Sequence, residues 1–134
     1  MRPLNTYDNM EETIEYLLPD VITSIQTSLD KWNVCALALA GGNTPKPFYK
    51  ELGDTDLPWE KIKITLTDER WVPTDHEDSN EAMIKKCFIK QLDKTNFLGL
   101  KNNEQDIIKG CEISKAVLQK NINKIDVVVL GMGE

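Results

Sequence analysis

The run VCALALA, residues 34–40, constrains this chain more than any other stretch. It carries no charge and no polar alternation. A strand with one face in water alternates polar and apolar residues. A strand without alternation has both faces covered, as in a parallel sheet with helices on either side. A second run of the same kind, DVVVL, occupies residues 126–130. KIKITLT, residues 61–67, is β-branched and alternating, and is expected as a further strand, with NFLGL, 96–100, as a short one.

Helical patterns fill the spaces between. Met10, Ile14, Leu17, Leu18, Val21, Ile22, Ile25 and Leu29 form one apolar stripe, so residues 8–31 are expected as a helix, with Asp8 and Glu11 as its capping box. Pro19 interrupts the stripe without changing its phase, which favours one kinked helix over two. Further helices are expected at 46–52, at 79–92 with Asp78 or Ser79 as cap, and at 104–121 with Ile107, Ile108, Cys111 and Leu118 as the inward face. Gly110 is a blemish in the last of these. Strands alternating with helices specify an α/β fold, a mostly parallel sheet joined by right-handed crossovers.

The 134 residues are read as a single domain, 1–134. The run at 126–130 lacks a following helix to cover it, so the domain reads as stopped early. Net charge is -6 with no Lys/Arg block, which argues against nucleic acid as a partner. No apolar run approaches the roughly 20 residues of a membrane span, and no apolar leader opens the chain. Cys35, Cys87 and Cys111 each sit in an apolar pattern and are expected as buried, reduced thiols, in keeping with a cytoplasmic setting.

Ligands of open α/β sheets bind beyond the carboxyl ends of the strands. Here those ends carry GGNTP (41–45), TDERWVP (67–73) and GMGE (131–134). Gly41 and Gly42 let a ligand approach the main chain; Asn43 and Thr44 then lead into a helix N-terminus with free N–H groups, a setting suited to phosphate. The same residues also make an ordinary tight strand-to-helix turn. Neither GxxxxGK[ST] nor GxGxxG is present. Asp68, Glu69 and Arg70 supply either a carboxylate and an anion fork at a strand end or a surface ion-pair cluster. Trp71 is read as packing, Lys46 and His76 as solvated, and Ser79 and Asn80 as cap and rim residues.

Taken in order and spacing, LALAGGNTPKPFY, DERWVP, the Ser79–Asn80 pair and DVVVLGMGE resemble the N-terminal part of 6-phosphogluconolactonases. The resemblance implies a Rossmann-like sheet of the glucosamine-6-phosphate deaminase/isomerase type. It also implies hydrolysis of 6-phospho-D-glucono-1,5-lactone to 6-phosphogluconate in the oxidative pentose phosphate pathway, without metal or cofactor. Gly42 and Thr44 then correspond to the phosphate loop, Arg70 to a phosphate or substrate contact and Asp68 to the rim acid. In that family the glycine segment runs on into a DGH-type motif, whose histidine is the expected general base. It is absent from these residues, and His76 matches a different loop. A missing C-terminal portion of the same protein is the implied partner. A deaminase/isomerase-type enzyme, or a non-catalytic sugar-phosphate module, is the alternative; Arg70 favours the lactonase, because the sister enzyme has a DE-aromatic variant there.

Overall fold

The computed structural model describes residues 4–132. Its first element is the 23-residue helix α1, Met10–Trp32. It is continuous through Pro19. The capping box sits one residue later than expected. Asn9 is the N-cap and its side chain accepts from Glu12 N, while the Glu12 carboxylate accepts from Asp8 N. Ile14, Val21 and Ile25 carry the buried face.

Next come β1 (Cys35–Leu39), α2 (Lys46–Gly53), β2 (Ile62–Leu66) and α3 (Asn80–Cys87). They are followed by β3 (Asn96–Leu98), α4 (Ile107–Asn121) and β4 (Val127–Val129). Helix α3 is shorter than expected. It closes at Phe88, and residues 89–91 form a separate 3₁₀ turn. All three strand pairings are parallel, in the order β3-β2-β1-β4. Every residue of β1 is buried, as its unalternating sequence requires.

This strand order determines where the helices lie. The chain steps outward from β1 to β2 to β3, so right-handed crossovers put α2 and α3 on one face. There they pack in series with α1. The return from β3 to β4 runs the opposite way, which carries α4 over the other face. Cys35, Leu37, Leu39, Ile62, Ile64 and Leu66 join the helices in the main core. Beneath α2 and α3, the Phe88 ring lies 6.0 Å from Tyr49 and 5.6 Å from Trp59, centroid to centroid. Between β1 and β4 the direction of travel reverses, and such switch points are where doubly wound sheets hold ligands.

Two expectations about α4 and the cysteines fail. Ile107, Ile108 and Cys111 are exposed, and the buried residues of α4 are Gly110 and Ser114. The reason is Trp71: a Cβ on Gly110 would lie 2.2 Å from its ring. The helix presents its smallest residue to the Trp71 ring, which comes from the connection between β2 and α3, so the bulky residues turn outward.

Candidate functional site

Strand β1 delivers the chain to the switch point at Ala40. There the buried Tyr49 donates from its hydroxyl to Ala40 O at 2.6 Å, fixing the strand end from the first turns of α2. Burial pushes the Tyr49 phenol well above its ordinary range, so it remains a donor. Ala40 N in turn donates to Val129 O, which keeps the end of β4 beside this loop.

Gly42 has φ +94, a conformation that L side chains rarely adopt. Gly42, Asn43 and Thr44 are exposed. Among the described residues, the backbone N–H groups of residues 41–44 donate to no protein acceptor. Helix α2 also begins without a side-chain cap or an acidic residue in its first turn. The other three α-helices are capped by Asn9, Ser79 and Asp106. Unsatisfied donors and the positive end of a helix dipole therefore face solvent together.

The second segment is held differently. Glu69 turns inward and caps α3. Its carboxylate accepts from Asn80 N at 2.7 Å, Glu81 N at 2.9 Å and Ser79 Oγ at 3.2 Å, and from Arg70 N at 2.9 Å. That helix N-terminus is thus occupied by the protein's own anion. Its neighbours Asp68 and Arg70 are exposed. Arg70 donates from Nη1 to Asp78 O at 2.8 Å, and among the described residues it pairs with no carboxylate. The ion-pair cluster weighed from sequence is therefore not what forms, and the guanidinium charge is left uncompensated.

Asn80 joins the two segments. It is buried, not on the rim, and its Nδ2 donates to Asp68 O at 3.1 Å. On its other side, a Cβ on Gly41 would lie 2.0 Å from Asn80 Oδ1. Gly41 is thus a glycine for space, and Gly42 for conformation. Of the residues singled out from sequence, Gly41 and Asp68 meet at this one side chain. Gly42, Asn43 and Thr44 continue the same loop, and Arg70 is anchored on the segment leading into α3. His76 is exposed on that segment, its Nδ1 accepting from Asp78 N at 3.0 Å. No group of three or more His, Cys, Asp or Glu side chains suited to a metal ion occurs among the described residues.

Sequence reasoning missed Tyr49, Glu69 and Asn80 as the supports of the site. The signal for Asn80 lay in its place directly after Ser79. Ser79 already serves as the helix cap, which leaves Asn80, a poor helix former, without a capping role of its own. Nothing local marked Tyr49, because its partner is a main-chain carbonyl.

Comparison with known proteins identifies the family and the fold. The family model described as glucosamine-6-phosphate isomerases/6-phosphogluconolactonase matches residues 8–134, and the chain belongs to that family. A 6-phosphogluconolactonase of Pseudomonas aeruginosa is 30% identical over 98% of this chain and 56% of its own length. One from Thermotoga maritima is 32% identical over 92% of this chain and 61% of its own. The crystal structure of a 6-phosphogluconolactonase from Shewanella baltica superposes with a TM-score of 0.89 at 30% identity, over 95% of this chain and 55% of that one. The chain thus spans a little over half the length of these relatives.

Proposed function

We propose that this chain is the substrate-binding part of a 6-phosphogluconolactonase, which hydrolyses 6-phospho-D-glucono-1,5-lactone to 6-phosphogluconate. The observation that carries the proposal is the joining of the glycine loop and the Asp68–Arg70 segment at Asn80, beside the uncapped start of α2. The N–H groups of residues 41–44, with the Thr44 hydroxyl, take the 6-phosphate. The second helix N-terminus on this rim is closed to it, because Glu69 fills that position. Arg70 offers its remaining guanidinium donors to a phosphate or carboxylate oxygen.

Lactone hydrolysis adds water to the C1 carbonyl and breaks the bond from C1 to the ring oxygen, which takes up a proton. The attacking water needs a base within about 2.6–3.2 Å. Asp68 projects from the end of β2 into solvent and orients substrate or water. His76, tied to its own loop, stands apart from proton transfer. The family's base histidine lies in a motif outside these residues, and the part of the reaction assigned to them is holding and orienting the substrate. The setting is cytoplasmic, and no metal or cofactor enters the reaction.

The test is an amide-shift titration with 6-phosphogluconate, together with a coupled assay on fresh lactone corrected for spontaneous hydrolysis. Shifts are expected at residues 41–44 and 68–70. Arg70→Ala should weaken binding about tenfold, as expected for loss of a hydrogen bond to a charged group. Perturbations elsewhere, clear lactonase activity abolished by His76→Ala, or ammonia release from glucosamine 6-phosphate would each sink this reading.

A further inference from the structure

Residues 78–81 grip each member of the Asp68–Arg70 segment separately. Asp78 O accepts from Arg70 Nη1, Ser79 Oγ and the Asn80 and Glu81 N–H groups donate to the Glu69 carboxylate, and Asn80 Nδ2 donates to Asp68 O. Only Asn80 also reaches the other segment. Its Oδ1 fills the space that any Cβ at residue 41 would need. The side chain is polar, 4% exposed and wedged between a carbonyl and a glycine. An Asn in that position acts as a spacer of fixed length between two loops.

We infer that Asn80 is a positioning residue: it touches no ligand, and it sets the separation between the anion-binding loop and the Asp68–Arg70 segment. The inference rests on the sugar-phosphate reading above. Its consequence is selective. A ligand that spans both segments, a phosphorylated sugar acid, depends on their separation. A small anion held by the glycine loop alone does not. Small displacements of one anchor relative to another are costly only to ligands that use both.

The full 134-residue chain and its Asn80→Ala variant are titrated with 6-phosphogluconate and, separately, with inorganic phosphate, following amide shifts. Asn80→Ala should raise the Kd for 6-phosphogluconate about tenfold and leave that for phosphate within about twofold. Asn80→Ser, polar but too short to reach Asp68 O, should give the same split and serves if the alanine variant does not fold. A thermal cycle checks the contact itself: Gly41→Ala should lower the unfolding midpoint less when combined with Asn80→Ala than when Asn80 is kept. Equal weakening of both ligands, weakening of neither, or strictly additive midpoints overturns the positioning role while leaving the sugar-phosphate reading intact. Failure of the unaltered chain to bind either ligand overturns both.

Discussion

The Asp126 side chain is only 5% exposed and lies at the end of the sheet opposite the candidate site. Its carboxylate accepts from Ala36 N at 2.8 Å and Ser28 Oγ at 3.1 Å and pairs with Lys124 Nζ at 3.0 Å, so the buried charge is fully partnered. The neighbouring Cys35 thiol bears the consequence. Burial first, and then the negative charge of Asp126, push it from its ordinary 9.0 up to about 12, against an opposing hydrogen bond from Ser28. A raised folded value means that the unfolded chain gives up this proton first as pH rises. The stabilisation is therefore complete below pH 9.0 and is lost as pH climbs toward about 12. The thermal midpoint should fall across that window, and less steeply in Cys35→Ala. The buried Tyr49 phenol acts in the same direction. Burial also raises Cys87, whereas Cys111 is exposed. A thiol reagent at mild pH should therefore modify Cys111 alone in the folded chain, with Cys35 and Cys87 reacting on unfolding. Rapid labelling of Cys35 in the folded chain would contradict its burial.

At the scale of elements, α4 shows both what periodicity reads and what it misreads. Its existence and its C-terminal end were legible; the face it turns inward was not. A hydrophobic stripe weights large residues, and the contact that seats α4 is made by small ones. Gly110 lies against Trp71, and the Trp71 indole N–H donates to Glu104 O at 3.0 Å. Asn102 Nδ2 donates to Gly110 O at 2.8 Å and to Ser114 Oγ at 2.9 Å. The Trp71 contacts are long-range choices that no local window contains. Gly110→Ala tests them with opposed terms. On helix propensity alone, alanine gains about 0.8–1.0 kcal/mol over glycine. The new methyl meets an indole held by its own hydrogen bond, and overpacking of that kind costs typically about 1–3 kcal/mol. The collision should win. Gly110→Ala is expected to unfold at lower denaturant, with a shifted tryptophan emission. A more stable variant with unchanged emission would show that Trp71 yields freely. The strands, in contrast, were readable because covering both faces of a parallel strand removes polar alternation, as in β1. The glycine loop was readable because Gly42 needs a positive φ. The joining of Gly41 to Asp68 was not, since it depends on the buried side chain of Asn80, 12 residues beyond Asp68 in sequence.

For the whole molecule, the sheet's two borders differ in what they expose. The two edge strands are equally short, but β3 opens on the polar Asn96, while β4 is Val127, Val128 and Val129, paired on one side with β1. Beyond β1 it has no neighbour among the described residues. Val128 is 50% exposed, Leu130 74%, and α4 adds Ile107, Ile108, Ile113 and Val117 as exposed apolar residues. An unprotected, hydrophobic edge is a template for pairing with another chain. Each buried valine or leucine side chain contributes about 1.5–3 kcal/mol, so covering this border is worth a sizeable part of a typical stability of about 5–15 kcal/mol. The 134-residue chain should therefore self-associate as its concentration rises. Val128→Lys places a strongly hydrated charge on the edge strand, the device natural sheets use against such pairing. Sedimentation velocity over a concentration series should show association in the unaltered chain and a shift toward monomer in Val128→Lys. Circular dichroism should confirm that the variant keeps its fold. Because Val128 is already half exposed, the lysine head can reach water without unseating β1, whose registry with β4 is carried by Leu37, Ala38 and Leu39. A strictly monomeric unaltered chain at high concentration would mean that this apolar border is too mobile or too small to drive association.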